Sequence, residues 1–269
     1  MSLSNIQLNN SFKSKKVVKV IAGINNANIS QIIRVAKATQ LSGASYLDIN
    51  ANIMIVKLLK SFLSIPSCVS SINPIDIYNC VASGADLVEI GNYDVFYKKN
   101  IYITAKQLIN LVKEIKFLIG DVDICVTIPS HMNLDEQVNF AKQLEYLDID
   151  IIQTEGLFFN NKSKNLCSLT SYLLLSLLST YVISHNVNIP VITSSGMLGM
   201  FSNIPLYYGA SGLGFSSIIR QKNNVIDMVD CINEIKYCMN NALNVKKQFI
   251  YMDKNHDLFI NINRDLLTV

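Results

Sequence analysis

The chain has 269 residues, half of them apolar and 16% charged, with a formal net charge of +3. That length suits one large domain, and so much apolar material argues for an extensive core rather than disorder. No Lys/Arg cluster is present, which excludes nucleic-acid binding through a basic face.

The first stretch, Met1 to Lys16, is polar and Asn-rich. It lacks the apolar run of a secretory signal and is too poor in Arg for a transit peptide. Residues 1–15 therefore read as a polar N-terminal segment, 16–244 as one barrel domain and 245–269 as an extension, a short hairpin or tail. Six scattered cysteines without a C-x-x-C pair read as reduced core thiols, neither a disulfide frame nor a zinc site. Abundant Asn, Ile and Lys with little Ala, Gly and Arg hints at an AT-rich coding genome, as in an organelle.

Short Val- and Ile-rich runs alternate along the chain with stretches of helical periodicity, the pattern of parallel βα units. The expected strands are 17–24, 46–51, 67–72, 87–92, 123–128, 150–155, 190–195 and 212–217. The expected helices lie near 29–42, 53–63, 75–83, 104–118, 134–147, 168–185, 199–208 and 224–242. In the fifth, Val138, Ala141, Leu144 and Leu147 repeat on one face and Asp135 is the expected cap. The stretch from Leu166 to Ile183 is almost uncharged, but its six Ser and Thr residues and its place between two strands fit a buried barrel helix better than a membrane span.

A recurrent phrase fixes the fold class. Gly43-Ala44-Ser45 leads to Asp48, Gly84-Ala85-Asp86 to Glu89, Ile149-Asp150 to Glu155, and Gly209-Ala210-Ser211 to Ser216-Ser217. Each is a helix end, a tight turn, a short strand and a polar strand tip. Eight such units give a (β/α)8 TIM barrel of the α/β class, whose chemistry sits at the C-terminal ends of the strands. A doubly wound open sheet needs neither an eighth unit nor repeated polar tips.

Two constellations are expected at that end. Alternation puts Asp48 with Asn50, Glu89 with Gly91, Gln153 with Glu155, and Lys19 with Ile21 on shared faces. If those faces point inward, Asp48, Glu89 and Glu155 converge near the mouth with Lys19 lower down. Crowded carboxylates separate one another's pKa values, which suits proton transfer, while Lys19 is read chiefly as their counter-ion and otherwise as a Schiff-base amine. The second constellation is Ser195 and Gly196 after strand seven, with Gly214, Ser216 and Ser217 at strand eight. Small residues there let backbone N–H groups approach a phosphate. His131 follows Pro129 and reads as a polar loop residue, and no histidine spacing indicates a metal.

At Lys19-Val-Ile-Ala-Gly23, Leu87-Val-Glu-Ile-Gly-Asn92, Leu134-Asp-Glu-Gln-Val138 and Ile151-Ile-Gln-Thr-Glu-Gly156 the chain resembles the hypothetical chloroplast reading frame 23 family. The likeness covers about residues 16–242, and its most specific piece ends in Gln153-Thr154-Glu155-Gly156. It implies a plastid protein with an aldolase-type barrel similar to ribulose-phosphate-binding enzymes, and no established reaction. In that family a His directly follows the Pro after strand five; here Ser130 stands there and His131 one later.

Three functions compete. The first is a lyase or isomerase acting on a small phosphorylated molecule, with Glu155 and Asp48 exchanging protons. The second is an oxidoreductase holding FMN by its phosphate in the same cradle; no cofactor is otherwise expected. The third is a non-catalytic binding or regulatory protein with structural carboxylates. Neither nucleic acid nor membrane is an expected partner, and a homo-oligomer stays open.

Overall fold

The Val- and Ile-rich runs become eight strands: β1 (Val17–Ile21), β2 (Tyr46–Asn50), β3 (Ser67–Ser71), β4 (Leu87–Ile90), β5 (Asp123–Ile128), β6 (Ile151–Glu155), β7 (Val191–Ser194) and β8 (Gly212–Phe215). All pair in parallel with their sequence neighbours, and β8 pairs with β1, closing the barrel. This computed structural model describes residues 3–23, 26–91, 93–155, 166–194 and 202–253. The helices are α1 (Ile6–Lys13), α2 (Ile29–Leu41), α3 (Ile53–Lys60), α4 (Pro74–Ala82), α5 (Asp94–Tyr97), α6 (Ala105–Ile119), α7 (Leu134–Tyr146), α8 (Leu166–Ser184), α9 (Ile204–Tyr207), α10 (Ser217–Arg220) and α11 (Val225–Asp253). The eight-stranded TIM barrel expected from the sequence is the observed fold.

The recurrent phrase has one backbone explanation. At the ends of α2, α4 and α9, Gly43, Gly84 and Gly209 take positive φ, and at the end of α7 Asp148 does so at φ 53°. The next residue then donates its N–H back five positions: Ala44 to Thr39 O, Ala85 to Cys80 O, Ile149 to Leu144 O and Ala210 to Pro205 O, at 3.0–3.1 Å. This closure satisfies helix-end carbonyls and turns the chain into the next strand. Asparagine caps many of the other ends: Asn5, Asn28, Asn52, Asn73 and Asn133 each accept a backbone N–H at a helix start. Helix α7 is thus capped by Asn133 in a reciprocal box with Glu136, not by Asp135, because Asn133 alone holds the extended backbone of a cap.

Two terminal expectations need correction. The segment 1–15 is not merely polar: Leu8 and Phe12, one turn apart on α1, are buried together with Leu3. They pack on Val17, Tyr46, Cys68, Leu87, Cys125, Ile151 and Ile192, sealing the barrel floor with the first turns of the chain. Ser4 ties this plug down, donating its N–H and hydroxyl to the Asp123 carboxylate at 2.6–3.1 Å. At the other end, α11 runs on through Asp253, so residues 245–253 are helix rather than hairpin. Residues 254–269 lie outside the described residues, as do 199–201 at the start of the expected seventh helix.

Leu47, Ile49, Val69, Val88, Ile90, Val126, Ile152 and Leu213 alternate outward into a buried layer against Ile32, Val56, Ile77, Leu108, Phe140 and Ile232 of the surrounding helices. Among the described residues no helix is long and apolar enough to cross a membrane, α8 included. Cys68, Cys80, Cys125, Cys231 and Cys238 are free thiols.

Candidate active site

The residues between those outward positions meet inside the barrel. Lys19 Nζ pairs with Asp48 Oδ2 at 3.0 Å and with Glu89 Oε2, and donates to Gln153 Oε1 at 2.8 Å. Gln153 Nε2 and the Thr127 hydroxyl both donate to Glu89 Oε1 at 2.8 Å. The Ser70 hydroxyl donates to Asp48 Oδ1 at 2.6 Å. Five strands besides β1 thus supply one network around a single ammonium, and Lys19, Asp48 and Glu89 are 0–1% exposed.

Charge at that depth is costly unless paired. Burial alone would depress the Lys19 pKa, but the Asp48 and Glu89 carboxylates outweigh it and hold the ammonium well above its ordinary value. Lys19 is therefore a counter-ion, and a protonated amine is no Schiff-base nucleophile. Burial also pushes Asp48 up, Lys19 pulls it down and Glu89 pushes it up again, leaving it at about 6. Burial raises the thiols of Cys68 and Cys125 beside this layer and the Tyr46 hydroxyl beneath it, so all three stay protonated. That hydroxyl is buried without a hydrogen-bond partner. The ligand atoms of Asp48, Cys68 and Glu89 lie within 4.8 Å of one another, but Lys19 already supplies the positive charge and Cys68 keeps its proton. The arrangement fits an ammonium better than a metal ion.

The three acids do not converge as expected. Asp48 and Glu89 share the interior layer with Lys19, while Glu155 stands at the rim. Gln153, two residues earlier on the same face, takes the interior place, because the register sets Gln153 against Thr127 and Glu155 against Ser194. Glu155 Oε1 accepts the Tyr97 hydroxyl at 2.6 Å and the Ser130 N–H at 3.0 Å. Burial, then the Glu155 charge, keeps Tyr97 well above the usual tyrosine range, so it serves as a fixed donor. The ring of His131 lies edge-on to Tyr97 and Tyr102, at 5.7 and 5.2 Å between centroids, and joins the aromatic wall of the mouth.

Between interior and rim, Gly91 removes a lid: a Cβ there would stand 2.7 Å from Thr127 Oγ1 and 2.8 Å from Glu89 Oε1. On the β8 side, a Cβ on Gly214 would meet Ser194 Oγ at 2.9 Å, so that face is filled by Ser194. The Ser216 hydroxyl donates to Ile21 O at 3.2 Å and accepts from Arg220 Nε at 3.1 Å, while Ser217 is exposed at the start of α10. Ser195 and Gly196 lie outside the described residues. Strand alternation contained the signal for Gln153 and Thr127. Tyr97 arrives from the segment after β4, where no periodicity marks it.

Fold and site together define a TIM-barrel protein whose polar strand ends gather at one mouth. The chain belongs to the family described as "Protein of unknown function (DUF561)", which matches residues 3–245. It is 42% identical to the "Uncharacterized protein ycf23" of Antithamnion sp., over 97% of this chain and 95% of that relative. It is 38% identical to the same-named protein of Cyanophora paradoxa, over 88% of this chain and 98% of the relative. These relatives come from plastid genomes, which supports a plastid location. Among solved structures, orotidine 5'-phosphate decarboxylase from Pyrococcus horikoshii OT3 superimposes with TM-score 0.57 at 12% identity, covering 82% of this chain and 99% of that one. Thiamine phosphate pyrophosphorylase from Pyrococcus furiosus gives 0.54 at 15% identity, covering 86% and 98%. At such identities the likeness concerns the fold alone.

Proposed function

We propose that this protein is an enzyme of the plastid stroma, a lyase or isomerase that moves a proton on a small phosphorylated metabolite at the open end of the barrel. The observation that carries the reading is the Glu155 carboxylate at a strand tip, aimed by Tyr97 and Ser130 through one oxygen. A positioned carboxylate at this place is suited to take a proton from carbon and return it. The interior layer contributes a fixed field. Asp48, expected as a second proton carrier, is buried beneath the mouth and acts through Lys19 and Glu89 rather than on substrate. The phosphate belongs on the β7–β8 side, where Ser195, Gly196, Ser216 and Ser217 follow the strands.

The test is exchange of substrate carbon-bound hydrogen with solvent deuterium, followed by proton NMR across a panel of triose, tetrose and pentose phosphates. Wild type should wash deuterium into at least one member, and Glu155→Gln should slow that exchange by about 100-fold or more. Exchange at an undiminished rate in Glu155→Gln would remove Glu155 from the chemistry. A non-catalytic binding protein is the second reading, favoured by the full pairing of Lys19 within the interior layer. On that reading no phosphate ester exchanges with either protein.

A further inference from the structure

Arg220 ends α10 at the seam between β8 and β1, and the way it is held is specific. Its Nε donates to Ser216 Oγ at 3.1 Å, and that hydroxyl spends its own proton on Ile21 O. Its carbonyl accepts from Gln31 Nε2 at 3.2 Å, and Gln31 Oε1 accepts from Asn26 Nδ2 at 2.9 Å. The guanidinium lies over Gly23, just past the tip of β1. A Cβ there would be 3.0 Å from Arg220 Nη1 and 3.2 Å from Cζ, and Gly23 holds φ +101°. A side chain at this position would collide with the guanidinium and strain the backbone.

So the residue is held at its backbone carbonyl and at Nε, while the outer edge of the guanidinium takes no part in either bond. Among the described residues neither Nη1 nor Nη2 has a hydrogen-bond acceptor, and no carboxylate lies within ion-pair distance. The side chain is half-buried at the barrel mouth. A guanidinium is permanently charged, and its paired N–H donors match two oxygens of one anion. The choice of Arg is itself informative: the chain carries only Arg34, Arg220 and Arg264 among 23 basic residues.

We propose that Arg220 is the anion receptor of the mouth, taking the phosphate of a phosphate monoester end-on through Nη1 and Nη2. This rests on the reading of the chain as an enzyme for a small phosphorylated metabolite, and it names the side chain that selects such a molecule. It also reassigns Ser216 from phosphate donor to tether, since its proton is already committed. The register places Glu155 level with Ser194 and Ser194 level with Gly214, so Glu155 and the β8 wall are two strand spacings apart. At about 4.8 Å per spacing that arc is about 10 Å, and side chains from both walls shorten it. A chain of three to five carbons between the phosphate and the reacting carbon fits that span.

The experiment is phenylglyoxal modification of the whole wild-type protein, with the Arg34 and Arg220 peptides followed by mass spectrometry. Inorganic phosphate at tenfold over its Kd should slow Arg220 modification about 11-fold against matched chloride and leave Arg34 unchanged. Acetate should protect far less. Arg220→Gln should melt near wild type and lose the rise in Tm that phosphate produces. If phosphate raises the wild-type Tm while Arg220 reacts at its unprotected rate, the anion site lies elsewhere and the assignment fails, although a phosphorylated substrate survives. Protection by acetate equal to that by phosphate overturns the phosphate class, and an unchanged Arg220 rate with no shift in Tm overturns the assignment outright. Loss of Glu155-dependent exchange with protection intact would instead sink the reaction and leave the receptor standing.

Discussion

Two acidic groups face the same barrel axis and live under opposite rules. In the interior, Lys19, Asp48, Glu89, Gln153, Thr127 and Ser70 satisfy one another across six strands, with Lys19, Asp48 and Glu89 at 0–1% exposure. One layer out, Glu155 stands half-buried between Tyr97 and the Ser130 N–H, and among the described residues the Nη edge of Arg220 has no acceptor. Residue type does not separate the two places, since Glu89 and Glu155 are both glutamates near the C-terminal ends of their strands. Depth and partners separate them. A buried carboxylate paired with an ammonium holds the structure in one arrangement, whereas a rim carboxylate aimed by two donors is placed to meet a ligand.

Breaking the interior should give the largest effect. Lys19→Met leaves two carboxylates buried without a counter-ion, and a broken buried pair costs about 3–5 kcal/mol. Urea denaturation should show that loss at pH 7 and a smaller one near pH 5, where protonation of Asp48 removes one of the unpaired charges. An equal loss at both pH values would mean that charge is not the cause.

A subtler change sharpens the same contrast. Burial lifts Asp48 from its ordinary 3.8 to about 6. Between those values the folded protein keeps a proton that the unfolded chain has released. The contribution of Asp48 to stability therefore falls as pH rises from about 4 to 6 and is level above that. Asp48→Asn should flatten this part of the stability profile, while Glu155→Gln should leave it in place. An unaltered slope in Asp48→Asn would assign the titration to another group.

The barrel itself was legible because it is written in repeats. Alternating apolar strands and the Gly-Ala phrase name eight units, and the structure shows why: Gly43, Gly84, Gly209 and Asp148 perform one turn with one set of backbone bonds. The site was legible by type and misplaced by depth. Sequence alternation says which residues share a face, but the stagger between strands decides which ones share a layer, so Gln153 displaced Glu155 from the interior. Tyr97 and Arg220 carry no periodic mark, because each reaches the mouth from a short helix beyond a strand tip. The N-terminal plug was hidden for another reason. Leu3, Leu8 and Phe12 are scattered among polar residues, and their burial depends on a barrel floor assembled from the rest of the chain.

The most direct measurement compares one isosteric change at the two depths. Glu89→Gln and Glu155→Gln remove the same charge and keep the same shape, and urea denaturation at pH 7 reads both. Glu89→Gln is expected to lose about 3 kcal/mol or more, because Lys19 loses a buried partner and two donors then face an amide. Glu155→Gln is expected to lose less than about 1 kcal/mol, because the amide oxygen still accepts from Tyr97 and Ser130. Equal losses, or the larger one at Glu155, would contradict the division between a structural interior and a functional rim.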